Sequence, residues 1–162
     1  MSETTGPPQD PPAEIRVLHV DDDPGIVDLT ASFLTRFDDA FSVYTSTDPE
    51  AALERIRNER IDCVVSDYEM PGMDGLELLE RVTEFDGDVP FILFTGRGSE
   101  EIASKAISAG VTDYLQKETG TEQYTVLANR IQNAVEQTHS QRALAESQRR
   151  LSRFIDQSPL GT

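Results

Sequence analysis

An aspartate, a hydroxyl and a lysine can together receive and hold a phosphoryl group. This chain offers them at intervals: Asp67, Thr95 and Lys117, with Tyr114 just before the lysine and the pair Asp21 and Asp22 upstream. Each stands at the C-terminal end of a short apolar run. In an open parallel α/β sheet those ends converge on one crevice, where such folds bind ligands. Magnesium takes hard oxygen ligands, often one or two carboxylates completed by water and phosphate oxygens. Crowded carboxylates raise one another's pKa, and a divalent cation relieves that repulsion. One carboxylate can then attack phosphorus and form an acyl phosphate. Asp67 is the best candidate, because it has its own loop with a flexible Met70-Pro71-Gly72 turn beside it. Lys117 can pair with the acceptor or with phosphoryl oxygens as a point charge. The Thr95 hydroxyl can donate to a phosphoryl oxygen. Tyr114 can swing between solvent and the space a moving Thr95 vacates.

Taken singly, each signal has a plainer reading. Asp21-Asp22-Asp23 fits an acidic surface, and a lysine at a strand end is usually just solvated. A threonine opening the polar loop TGRGS fits a turn residue, and Tyr114 fits a half-buried edge-strand aromatic. Their joint spacing carries the argument.

The elements that must position these residues are legible as an alternation. Strand candidates are Ile15–Val20, Phe41–Thr45, Ile61–Ser66, Val89–Phe94 and Thr112–Leu115, each bounded by turn residues. The inner ones are nearly all apolar, as expected for parallel strands covered on both faces. Helix signals fall between them. Asp23-Pro24 and Asp48-Pro49 can cap and open two helices. Asp74 with Glu77 resembles a capping box. Ser99 with Glu100 and Glu101 starts a fourth helix, and Gly110 can end it. A fifth begins near Thr121. Five βα units in strict alternation predict an α/β, doubly wound parallel sheet with right-handed crossovers.

The fifth helix outruns the domain. No Pro or Gly occurs from Glu122 to about Phe154. Tyr124, Leu127, Ile131 and Val135 form an apolar stripe that can dock on the sheet. Leu144, Leu151 and Ile155 continue a sparser stripe, which fits either a weak coiled-coil seam or a solvated helical linker. Residues 1–13, with four prolines, read as a flexible tail.

Composition excludes several classes. Thirty acids against fourteen bases give a net charge of −16. That disfavours direct nucleic-acid binding, which rests on Lys and Arg. Twelve bases are Arg and only Lys105 and Lys117 are Lys; such acidic, lysine-poor surfaces resemble those of salt-loving organisms, where salt screens self-repulsion. Cys63 is alone, so no internal disulfide can form, and a reducing cytoplasm is the expected location. No apolar run approaches the roughly 20 residues of a membrane span.

The stretches VLHVDDDP, VVSDYEMPGMDGLELL, FILFTGRGS and DYLQK together resemble the receiver domain of two-component response regulators, over about residues 14–137. The resemblance implies a flavodoxin-like sheet of order 2-1-3-4-5. It implies that Asp67 takes a phosphoryl group from the phosphohistidine of a histidine kinase or phosphotransfer protein. Mg²⁺ would be bound by Asp21, Asp22, Asp67 and the backbone carbonyl of Glu69. Thr95 and Tyr114 would form a switch pair acting on the face of the fourth helix, fifth strand and fifth helix. The output would be altered helix packing or a homodimer. DYLQKETG and QYTVLANRI further resemble receivers of halophilic archaea that precede PAS sensor or histidine kinase modules. On that reading 138–155 is a helical linker, and 156–162 starts a truncated PAS-like domain.

Two positions depart from the family pattern. Gly96 stands where Ala is usual. Glu118 stands after Lys117 where Pro is common, often following a cis bond. Glu69 sits where its side chain can face an attacking water. His19 reads as a core histidine, His139 as a solvated helix residue and Cys63 as a small buried hydrophobe. Two rival functions fit parts of the pattern. One is a phosphotransferase or phosphatase of the haloacid-dehalogenase type, with Asp21-x-Asp23 as its motif. The other is a receiver-fold scaffold that is never phosphorylated. Turnover of small phosphoesters separates the first, because a receiver is modified once per chain and is otherwise no enzyme. Absence of Mg²⁺ binding would support the second.

Overall fold

The computed structural model describes residues 14–96 and 100–156. Five parallel strands lie in the order β2-β1-β3-β4-β5: β1 Ile15–Val20, β2 Phe41–Ser46, β3 Cys63–Ser66, β4 Phe91–Thr95 and β5 Asp113–Gln116. Between them run α1 Pro24–Phe37, α2 Pro49–Asn58, α3 Gly75–Phe85 and α4 Glu100–Ala109, and α5 Glu122–Asp156 follows the last strand. This is the doubly wound architecture expected from the alternation.

Local chemistry sets the helix starts. The Asp23 carboxylate accepts from Gly25 N–H at 2.9 Å, with Pro24 in the first turn. Asp48 accepts from Glu50 N–H at 3.2 Å, and Asp74 from Glu77 N–H at 2.8 Å. Each bond satisfies a donor the helix cannot. Gly110 follows α4 at φ +96°, a left-handed position that suits a residue without Cβ. Ser99, expected to cap α4, lies outside the described residues, as do the tail 1–13 and positions 157–162.

Strand boundaries in β2, β3, β4 and β5 shift from the expected ones by one or two residues; β2 ends at Ser46, not Thr45. β3 starts at Cys63, not Ile61. β4 starts at Phe91, not Val89, since Pro90 has no N–H for a ladder. β5 runs one residue later than expected, so Thr95 is the last ladder residue of β4, opposite Gln116.

Strand alternation divides the core into two layers. Leu18, Val20, Val64 and Leu93 pack toward α2, α3 and α4. Val17, Cys63, Val65, Ile92 and Phe94 pack toward α1 and α5, against Leu34, Leu127 and Ile131. His19 and Cys63 are fully buried, as expected. His139 is not simply solvated: it is half-buried and lines a small 60 Å³ cavity with Asp62, Pro90 and Arg142. No helix of the described residues is long and apolar enough to cross a membrane.

Candidate functional site

The site lies at the C-terminal edge of β1, β3, β4 and β5. Two backbone bonds tie the acidic loops there: Asp21 N–H donates to Ser46 C=O at 3.1 Å, and Asp67 N–H to Val20 C=O at 2.9 Å. Because β1 and β3 are neighbours, their first post-strand carboxylates meet. Carboxylate oxygens of Asp21, Asp22 and Asp67 all lie within 4.8 Å of one another, the one such metal-competent cluster among the described residues. The three differ in exposure. Asp21 is 1% exposed, Asp67 is partly covered, and Asp22 faces solvent.

Lys117 closes the ring. Its N–H donates to Thr95 C=O at 2.8 Å, extending the β4–β5 ladder by one bond. Its Nζ reaches Asp21 Oδ2 at 2.5 Å and Asp67 Oδ2 at 3.7 Å. No cis peptide bond occurs among the described residues, so Lys117–Glu118 is trans and the lysine still points into the pocket.

Asp67 is held from several sides. Tyr68 N–H donates to its Oδ1 at 2.8 Å, and the Thr95 side chain hydrogen-bonds the same carboxylate. Burial pushes the Asp67 carboxyl above its ordinary value, and the Asp21 charge adds to the rise. Lys117, Thr95 and the Tyr68 amide pull the other way without cancelling it. Thr95 itself is 1% exposed. Tyr114 pairs with Leu93, two residues before Thr95, so both side chains leave the same sheet face. It is half-buried and packs against the core layer that α2, α3 and α4 cover. Glu69 is exposed and lines the same open groove.

Sequence reasoning passed over two contributors. Gly75 opens α3 directly against the acidic loop: a Cβ there would lie 2.3 Å from the Asp67 carbonyl oxygen and 2.9 Å from Leu93 Cδ1. Its N–H also donates to Tyr68 C=O at 2.8 Å. An Asp-Gly at a helix start was the available signal. The second is Tyr124, expected only as part of the stripe that docks α5: it is stacked on Phe33 at 4.8 Å and edge-on to Phe94 at 6.1 Å, and Lys117 Nζ lies 5.8 Å above that Phe94 ring.

A hard-oxygen cluster with an adjacent ammonium and a half-open carboxylate is suited to a divalent cation and a phosphoryl group. The family model for the response regulator receiver domain matches residues 17–145. The chain belongs to that family. The receiver resembles the transcriptional regulatory protein FixJ of Bradyrhizobium diazoefficiens, 34% identical over 119 residues, 73% of this chain and 55% of the relative. It is 32% identical over 144 residues to the transcriptional regulatory protein GlrR of Escherichia coli, 89% of this chain and 30% of the relative. It is 37% identical over 114 residues to rice two-component response regulator ORR24, 69% of this chain but 18% of the relative. The receiver thus spans from about a fifth to about half of these relatives' lengths. Among solved structures, a CheY-like receiver from Methanospirillum hungatei superposes with TM-score 0.71 at 27% identity, covering 79% of this chain and 98% of that one. The FixJ N-terminal structure gives 0.67 at 31%, covering 76% and 94%.

Proposed function

We propose that this receiver is the phosphoacceptor of a two-component phosphorelay, with Asp67 as the acceptor. The observation that carries the reading is the Asp67 carboxylate, held beside Asp21, Asp22 and Lys117 at the mouth of an open groove. Asp21 is a poor nucleophile by comparison, since it is buried and already engaged by Lys117 and the Asp23 N–H. That argues against the haloacid-dehalogenase alternative.

The donor is the phosphohistidine of a histidine kinase or phosphotransfer protein. An Asp67 oxygen attacks phosphorus as the P–N bond breaks; the imidazole leaves and takes up a proton. Lys117 and the Thr95 hydroxyl offset charge on the phosphoryl oxygens, so the protein contributes chiefly positioning and electrostatics. Asp21, Asp22, Asp67 and the Glu69 carbonyl would hold Mg²⁺, which when bound supplies charge neutralisation at the transferring group. The new charge on Asp67 draws Thr95 inward, and Tyr114 follows on the same sheet face, reshaping the α4–β5–α5 surface. Residues 138–155 then serve as a helical linker to a PAS- or kinase-type module, in the cytoplasm.

The test is intact mass after incubation with acetyl phosphate and Mg²⁺ in high salt. One added phosphoryl group, absent in Asp67→Asn, is the expected result. A gain that survives Asp67→Asn overturns the assignment.

A further inference from the structure

A run of three rings joins the pocket to the junction of α1 and α5. Lys117 Nζ lies 5.8 Å from the centre of the Phe94 ring. Phe94 meets Tyr124 edge-on, with centres 6.1 Å apart and planes at 70°. Tyr124 lies flat on Phe33, at 4.8 Å and 7°. The Arg36 guanidinium carbon is 5.5 Å from the centre of the Phe33 ring. The run thus has a cation at each end and passes through β4, α5 and α1. Phe94 is fully buried and Tyr124 is nearly so.

These rings belong to the core layer that faces α1 and α5, with Val65 and Ile92. Thr95 follows Phe94 directly and leaves the other sheet face. The two groups that reach the Asp67 carboxylate are therefore backed from opposite sides. Thr95 is backed by the layer that holds Tyr114, and Lys117 by the aromatic one.

Asp21 alone does not fix the ammonium. The Lys117 stem is flexible and its head rotates, so one ion pair lets it pivot about the buried oxygen. That pair also draws it away from Asp67, at 2.5 Å against 3.7 Å. The Phe94 face attracts the cation through its quadrupole and closes the way into the core. A phenyl ring turns readily about its outer torsion, so its face stays on the lysine only while something grips it. Tyr124, stacked on Phe33, supplies the grip.

We propose that Phe94 and Tyr124 are positioning residues for phosphoryl transfer, holding the Lys117 ammonium between Asp21 and Asp67. Neither touches the reacting atoms; both act through Lys117. The inference rests on the phosphoacceptor reading, and the first of its two tests uses no phosphoryl donor.

Lys105 and Lys117 are the only lysines, so ¹³C-labelled lysine gives two ε-methylene signals. The Lys117 signal should lie upfield of that of the exposed Lys105, through the ring current of Phe94. Phe94→Leu should bring the two together, and Tyr124→Leu should move Lys117 part of the way. The second test is the rate of Asp67 phosphorylation by acetyl phosphate with Mg²⁺. Tyr124→Leu should slow it about tenfold, less than the roughly hundredfold that a misplacement of about 1 Å can cost. Tyr124→Phe keeps the ring and should restore most of that rate. In a Lys117→Met chain Tyr124→Leu should cost nothing further, because the group it positions is gone. Coincident lysine signals in the unsubstituted chain, an unslowed Tyr124→Leu, or an equal loss with and without Lys117 would overturn the proposal. An unsubstituted chain that takes up no phosphoryl group would overturn the phosphoacceptor reading and this proposal with it. An upfield Lys117 signal in that chain would place the fault in the reading of Asp67, not in the aromatic contact.

Discussion

Lys117 Nζ lies 2.5 Å from Asp21 Oδ2, and that carboxylate is 1% exposed. The lysine is anchored on the most buried acid of the pocket and stands 3.7 Å from the proposed acceptor. Removing one partner of a buried pair leaves the other charge uncompensated, at a cost of roughly 3 kcal/mol. Lys117→Met should therefore lower stability by about that much in chelator, as read by urea unfolding. Added Mg²⁺ should recover part of it by replacing the lost positive charge. A variant as stable as the parent in chelator would show that Asp21 does not depend on Lys117.

Asp67 makes the opposite contribution. Its carboxyl is raised above the ordinary 3.8, first by burial, so ionising it opposes folding. The folded state holds this proton more tightly than the unfolded state. The group therefore favours folding at low pH and loses that benefit as pH rises through its raised value. Asp67→Asn should raise the melting temperature at neutral pH without divalent ions, and the gain should shrink toward pH 4. Mg²⁺ should narrow it too, by stabilising only the parent. Calorimetry across pH, with and without the ion, reads all three comparisons.

How these groups meet was only partly legible from the chain. The alternation of strands and helices gives the doubly wound parallel sheet, and carboxylates at strand ends give the meeting of Asp21, Asp22 and Asp67. The order of the strands comes from the family resemblance. What alternation does not report is depth. Asp21 and Asp22 are adjacent and chemically identical, yet one is buried and one faces solvent. Likewise Thr95 read as the residue after β4, while the structure places it inside the ladder. That one-residue difference sets its hydroxyl on the sheet face shared with Tyr114, not in a mobile loop. Gly75 escaped notice because its role is a close approach to Asp67 across the loop, which only the fold brings about.

That approach gives a sharp contrast between two glycines. Gly75 has no room for a Cβ, with Asp67 backbone oxygen 2.3 Å away, whereas no atom of the described residues lies within 4 Å of a Cβ built on Gly96. Gly75→Ala should cost about 1–3 kcal/mol of stability by forcing the acidic loop to shift. It should also slow phosphorylation of Asp67 by acetyl phosphate. Gly96→Ala should leave stability within about 0.5 kcal/mol. Equal unfolding midpoints for the two variants would refute the close-approach argument.

His19 offers the remaining pH-dependent term. It is fully buried on β1, and neither ring nitrogen has a hydrogen-bond partner among the described residues. Burial lowers its pKa from 6.5 to about 4; the Asp21 charge opposes that shift and the Lys117 charge adds to it. A lowered pKa on a base means that the unfolded chain binds the proton more readily. Stability from keeping His19 neutral is therefore complete above about pH 6.5 and is lost as pH falls toward 4, by an amount on the order of 3 kcal/mol. His19→Leu removes both unpaired nitrogens at similar volume, so it should be neutral or stabilising at pH 7. Its advantage over the parent should grow steadily between pH 6.5 and 4. Comparing the two proteins cancels the opposing titration of Asp67, which both retain. Parallel stability curves over that interval would mean that His19 is hydrogen-bonded in solution and titrates normally.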